Sequence, residues 1–535
     1  MLTVGHGAWA AAPADRVALA IRHAYPEAAD LVGITVPETE AALRRYYAMT
    51  DYRPLWFGDQ GVRPEARLLV EALRTADREG IDPRGLEGGE LAARLAAVDV
   101  EDPSAVAGLD QDITLSLVRY GALLRGRTPL PKGVNPSALA VTGGLPIPQA
   151  FDGVALLKSA AVATDFKAFL ESLPPRQPEY RRLRQALATH RTLADKGGWP
   201  IVPEGPKMVL GVEDPRVQIL RRRLRATGEM PHSAEDRSTR YDGAVQKAVR
   251  VFQRRHGLNV DGTVGASTLA ALNVPIADRI RQILINMERW RRMPEDLGSR
   301  HILVNIAGSE MEVVEDGAIA LSMRVIVGQT QRQTPVFSSA LTDLVLNPVW
   351  HVPRHLAVAD ILPRLQRDPS YFARQGMRLY AKRGERLVEV DPTGIAWDRL
   401  GVSNFPYRLR QAPGPHNAMG QVKFLLPNPY DVYLHDTPSR DLFRKDSRSA
   451  SSGCIRLEKP RELALLALKD QPDWTREKVD SLIDKGKTEV FHLKNPLPIH
   501  LVYRTAWSDD GGVTHFRPDI YQWDEALSKT LFGNS

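Results

Sequence analysis

A single cysteine in 535 residues is the scarcest feature of this sequence. Cys454 has no second thiol with which to close an internal disulfide and no companions with which to build a structural zinc site. It is therefore either a buried inert thiol or a nucleophile. Long apolar runs are missing too: none reaches the roughly 18 residues of a membrane-spanning helix, so no transmembrane span is expected. Concentrated charge is also lacking. The 71 Lys and Arg outnumber the 64 Asp and Glu for a net charge of +7, which suits an anionic partner, but they are spread through the chain without interleaved aromatics. That pattern reads as a solvated basic surface in preference to a nucleic-acid site. Nothing calls for a cofactor or a metal. What is plentiful is ordinary: 43% hydrophobic and 25% charged residues, in a chain long enough for about three domains with sizeable cores.

The stretch Ser451-Ser452-Gly453-Cys454-Ile455-Arg456 favours the nucleophile. Glycine beside the cysteine lets a ligand approach the backbone, and leaves adjacent N–H groups to point at a developing oxyanion. Upstream, Asp431-Val432-Tyr433-Leu434-His435 reads as a short strand closed by Pro438. A polar loop from Ser439 to Ser449 can then bring His435 and Cys454 together. A free thiol is only a few per cent thiolate at neutral pH; an adjacent imidazole either takes its proton or holds it as an ion pair, and the pair predicts thiolate below the ordinary thiol range. Asp436 is not expected to orient His435 through its carboxylate, because neighbours on a strand point to opposite faces. Its backbone carbonyl is the expected partner. By the same alternation Arg456 and Tyr433 share faces with Cys454 and His435, so Arg456 either receives a substrate carboxylate or is purely structural.

These residues, with Met419-Gly420-Gln421-Val422-Lys423-Phe424, resemble the catalytic domain of the L,D-transpeptidases of bacterial cell walls. The family's common turn is Ser/Thr-His-Gly-Cys-(apolar)-Asn. Ser452 and Arg456 stand where His and Asn are usual, a form that resembles the large multidomain Gram-negative branch. The resemblance implies a multidomain α+β protein with a helical N-terminal scaffold, a three-helix peptidoglycan-binding module and a mainly β catalytic domain carrying an inserted cap. It implies that Cys454 attacks the carbonyl joining a diamino acid, residue three of a tetrapeptide stem, to the terminal D-alanine. His435 would take the thiol proton and return it to the leaving amine, with the backbone N–H groups of Gly453 and Cys454 as the oxyanion hole. An amine of a second stem would then resolve the thioester into a 3→3 crosslink. Donor and acceptor stems are the implied partners, and other cell-wall synthesis proteins are candidates beside them. Arg456, Tyr433, Ser452 and Trp350 are the substrate-binding candidates, carbapenems the implied inhibitors and the periplasm the implied location. Water in place of the amine would make the same acyl-enzyme a hydrolase, and an idle wall-binding protein that keeps the fold is a third reading. A papain-like protease is disfavoured, because there Cys precedes His.

Along the chain, Met1 to Pro13 carries an apolar run and an Ala-Trp-Ala-Ala-Ala stretch without a basic leader. It reads either as a truncated export signal or as a plain disordered start, and sets residues 1–29 apart. Leu68, Leu69, Ala72 and Leu73, and later Leu115, Val118, Leu123 and Leu124, fall at helical spacing and make 30–205 a scaffold without candidate chemistry. Residues 206–275 show three apolar helix faces and two Asp-Gly turns, Asp242-Gly243 and Asp261-Gly262, and resemble a peptidoglycan-binding module acting as binder or spacer. A linker helix is assigned to 276–299. Period-two runs from Ile302 open the catalytic domain, 300–535. The mixed stretch at about 350–411, beginning Trp350-His351-Val352-Pro353-Arg354, is the cap, either a lid or a surface excursion. The tail beyond Ile499 is expected to serve packing only.

Overall fold

The computed structural model describes residues 13–24, 38–128, 143–148, 150–231 and 237–532; the stretch at 1–12, expected to be either a truncated export signal or a plain start, lies outside them. The described residues form a multidomain α+β molecule with helices first and sheets after. In the helical N-terminal part the longest helix, Pro103–Leu124, starts where Asp102 accepts from the Ser104 and Ala105 N–H groups, with Pro103 where a missing N–H costs nothing. Trp56 belongs to the core: it is 1% exposed and donates from Nε1 to Thr114 Oγ1 at 2.8 Å.

Three helices, Arg216–Ala226, Gly243–Arg255 and Ala266–Leu272, close around Val217, Leu220, Val245, Val249 and Phe252. Only one of the two Asp-Gly pairs here is a turn. Asp242 is a helix cap whose carboxylate accepts from the Val245 N–H at 2.9 Å, and Gly243 is the first helical residue; Gly262 does turn, at φ +73°.

The next helix, Ile276–Arg291, is less a linker than a spine. Arg279, Glu288, Arg289 and Arg291 are buried along with Ile283, Ile285, Met287 and Trp290. Glu288 binds Arg291 and Arg292, each at 2.9 Å, and accepts from Thr128 of the N-terminal part at 3.0 Å. Arg289 pairs with Asp524 of the tail at 2.6 Å. Glu288, Arg289 and Arg291 are thus buried in ion pairs, while Arg279 donates to Gln282 Oε1 and the Ala271 carbonyl.

Among the described residues nine strands form the main sheet. The sheet closes on itself because Ala318–Gly328 pairs with Glu310–Glu315 along its first part and with Ile455–Leu457 and Ser449–Ser451 along its second. In the middle, Ile455–Leu457 runs parallel to Leu434–His435, which is antiparallel to Val422–Leu425. Alternation then sorts the side chains. Val422, Phe424, Leu434, Ile455 and Leu457 are fully buried in the core, while Lys423, Tyr433, His435, Cys454 and Arg456 face a cavity. The excursion after Trp350 is a separate four-stranded sheet, Trp350–Val352, Met377–Arg383, Arg386–Val390 and Tyr407–Gln411, with its own apolar core.

Candidate active site

The cavity measures about 760 Å³, and Cys454, His435, Tyr433, Arg456, Ser452, Gly453 and Trp350 all line it. The half-buried thiol sits on a tightly wired turn. Gly453 has φ +111°, a conformation that a side chain would strain. Its carbonyl accepts from Thr334 Oγ1 at 2.8 Å, and Thr334 Oγ1 in turn accepts from the Gly328 N–H at 2.9 Å. Behind them Tyr521 of the tail donates to the Gly328 carbonyl at 2.5 Å and accepts from the Thr334 N–H at 3.3 Å. The tail therefore does more than pack. Ser451 Oγ donates to the Cys454 carbonyl at 2.5 Å and accepts from the Gly453 N–H at 3.2 Å. Of the two N–H groups expected to face an oxyanion, that of Gly453 is engaged within the turn; that of Cys454 has no partner among the described residues.

The Cys454 thiol donates to the Asp431 carbonyl at 3.7 Å. Burial pushes this thiol up, and the Tyr433 N–H and hydroxyl, Lys423 and Arg456 offset only part of that. His435 is 3% exposed and its Nδ1 lies 2.5 Å from the Asp436 carbonyl, which fixes Nδ1 as the protonated nitrogen and leaves Nε2 as an acceptor. Burial first, then Arg456 and Lys423, holds this imidazole down to about 3. Both shifts run against a thiolate–imidazolium pair. Desolvation disfavours thiolate and imidazolium together and favours the neutral forms of both groups. Asp436 turns its carboxylate away, to the Gln421 N–H at 3.0 Å and Arg440 at 3.2 Å.

Two cations share the cavity face without a carboxylate. Arg456 is half-buried and its Nε has no partner among the described residues. Lys423 stands directly opposite His435 in the ladder, with Nζ 3.8 Å from the centroid of the Tyr433 ring. The Tyr433 hydroxyl interacts with both Cys454 and Trp350. Ser452 Oγ accepts from Arg332 Nη1 at 3.0 Å, and the Arg332 guanidinium grips Asp360 of the excursion at 2.6 and 2.9 Å. Thus the residue preceding Gly453 is tied through one arginine to the domain above it. Among the described residues no group of three or more His, Cys, Asp or Glu could hold a metal ion.

Lys423, Arg332, Asp360, Thr334 and Tyr521 are additions to the residues expected from sequence. Only Lys423 carried a signal, since alternation along Val422-Lys423-Phe424 gives it the face opposite the core. The others arrive from distant segments.

Comparison with known proteins finds matches to parts of this chain. Residues 299–479 match the L,D-transpeptidase catalytic domain, residues 41–187 match a scaffold domain, and residues 213–272 match the "Putative peptidoglycan binding domain". A protein of Haemophilus influenzae named "Putative L,D-transpeptidase" is 36% identical over 248 residues, 46% of this chain and 49% of that protein. The chain thus spans about half the length of this relative. An L,D-transpeptidase from Xylanimonas cellulosilytica is similar at 16% identity over 56% of this chain and 98% of that one, with a TM-score of 0.18. Another, from Stackebrandtia nassauensis, is 12% identical over 56% and 96% of the two chains, with a TM-score of 0.22.

Proposed function

We propose that this protein is a peptidoglycan L,D-transpeptidase that forms 3→3 crosslinks between tetrapeptide stems through a thioester on Cys454. The observation that carries this reading is the only thiol of the chain, facing a cavity on the same sheet face as a buried histidine whose Nδ1 is held by the Asp436 carbonyl, so that the other ring nitrogen can accept a proton. The catalytic-domain match supports the reaction class.

In the proposed reaction the thiol is attacked as a neutral group. As the stem carbonyl enters, His435 Nε2 takes the Sγ proton while sulfur bonds to the carbonyl carbon. The Cys454 N–H meets the developing oxyanion. The C–N bond then breaks, and His435 returns its proton to the D-alanine amine, leaving the thioester and a neutral imidazole ready to deprotonate the acceptor amine. Arg456, on the strand of the nucleophile, holds a carboxylate of the retained acyl part. Tyr433 and Trp350 form the wall beside the sulfur, whereas Ser452 acts through Arg332. The division at residues 206, 276 and 300, with a cap over about 350–411, belongs to this proposal, as does an extracytoplasmic location, where peptidoglycan is found. No helix of the described residues is long and apolar enough to cross a membrane.

Mass spectrometry of disaccharide-tetrapeptide incubated with purified protein tests the proposal. Crosslinked dimer is the expected product. Tripeptide alone would make the protein a hydrolase, and unchanged substrate would overturn the reading. A carbapenem should add once, at Cys454; an adduct on a serine would contradict the mechanism.

A further inference from the structure

We propose that Lys423 is the residue that recognises the free carboxylate of the departing amino acid, so that the enzyme acts only where a single residue with a free C-terminus follows the attacked carbonyl. This deepens the transpeptidase reading and rests on it.

The inference begins with the order of strands. Across the cavity face run the nucleophile strand with Cys454 and Arg456, then the strand with Tyr433 and His435, then the strand with Lys423. Chemistry must follow the same order. Sulfur approaches the carbonyl from the first strand, and the leaving nitrogen must lie against His435 on the second, because that imidazole supplies its proton. A carboxylate on the carbon attached to that nitrogen is carried onward past His435, to the Lys423 ammonium that also acts electrostatically on the Cys454 sulfur. The next strand lies roughly 4.8 Å further on, and the side chain it presents there is Lys423, in direct register with His435.

Lys423 also has the capacity to spare. It is half-buried, its ammonium lies over the Tyr433 ring, and among the described residues it has neither a carboxylate partner nor a hydrogen-bond acceptor. An ammonium has three donors, and a cation–π contact uses none of them. Desolvation already disfavours its charge, and an arriving carboxylate would relieve that cost. Arg456 stands on the other side of the histidine strand, in register with His435, and its place on the nucleophile's strand suits the part of the substrate that stays on sulfur.

The test compares two synthetic stem peptides, one ending in D-alanine as the free acid and the other in D-alanine carboxamide, by the rate at which each acylates Cys454 in intact-mass measurements. Wild type should prefer the free acid by about tenfold to a hundredfold, the range of a charge-assisted hydrogen bond. Lys423→Met should acylate with the two peptides at nearly equal rates, and Lys423→Arg should restore part of the preference. The ratio within one variant is insensitive to a general loss of folding or reactivity. A Lys423→Met protein that keeps the wild-type ratio overturns the assignment, as does a wild type that shows no preference while still acylating; both leave the transpeptidase reading standing. A wild type acylated by neither peptide overturns both.

Discussion

Burial drives the two reacting side chains toward their neutral forms from opposite directions, raising the Cys454 thiol and lowering the His435 imidazole. Proton transfer therefore belongs to the encounter with substrate. Alkylation by a small neutral reagent should keep rising about tenfold per pH unit through the ordinary thiol pKa near 8.5 instead of levelling off lower. His435→Gln should leave that profile nearly unchanged while abolishing acylation by peptide. A wild-type plateau below pH 8 that disappears in His435→Gln would restore the ion pair. The same burial has a stability signature. His435 titrates at about 3 in the fold against 6.5 ordinarily, so the unfolded chain binds this proton first and stability falls as pH drops through that window. The slope from this residue is up to about 1.4 kcal/mol per pH unit, and urea melts of His435→Gln should show it flattened.

At the scale of elements, the helix Ile276–Arg291 decides whether the parts stay together. Glu288→Ala would leave Arg291 and Arg292 buried without their carboxylate, a loss of about 3–5 kcal/mol in denaturant melts. A loss below about 1 kcal/mol would mean that the pairs are solvated. This helix also marks the limit of what the sequence reveals. Its arginines and Glu288 follow the pattern of a solvent face, because pairing among buried charges leaves no periodic trace. The sheet was legible in part: alternation gave Arg456 the face of Cys454 and Tyr433 the face of His435, whereas the register that joins the two pairs on one face and sends Val422, Phe424 and Leu434 to the core comes from strand pairing. The neutral state of the thiol was not, since it depends on burial by distant segments. Neither were the supports of the thiol turn, for Tyr521 and Gly328 are 193 residues apart.

Across the whole molecule, the three-helix module of residues 213–272 is docked against the body. Arg255 donates to the Thr514 carbonyl at 3.0 and 2.9 Å, His256 stacks on Phe516 with ring centroids 5.6 Å apart, and Arg517 donates to the Arg255 carbonyl at 3.1 Å. Calorimetry should therefore find the module and the catalytic domain unfolding in one transition, and deletion of Asp214–Pro275 should lower the temperature of what remains by exposing Phe516. Two well-separated transitions in the intact chain would show a loosely tethered module instead. The strand Glu489–Val502 fits between Phe337–Leu346 and Arg300–Asn305, and Tyr521 fastens the backbone behind the thiol turn. Both follow Cys454 in the chain. A polypeptide synthesised from its N-terminus presents the cysteine before the segments that enclose it exist. During that interval it is an ordinary free sulfhydryl, and oxidants and electrophiles reach it more readily in the nascent chain than in the finished protein.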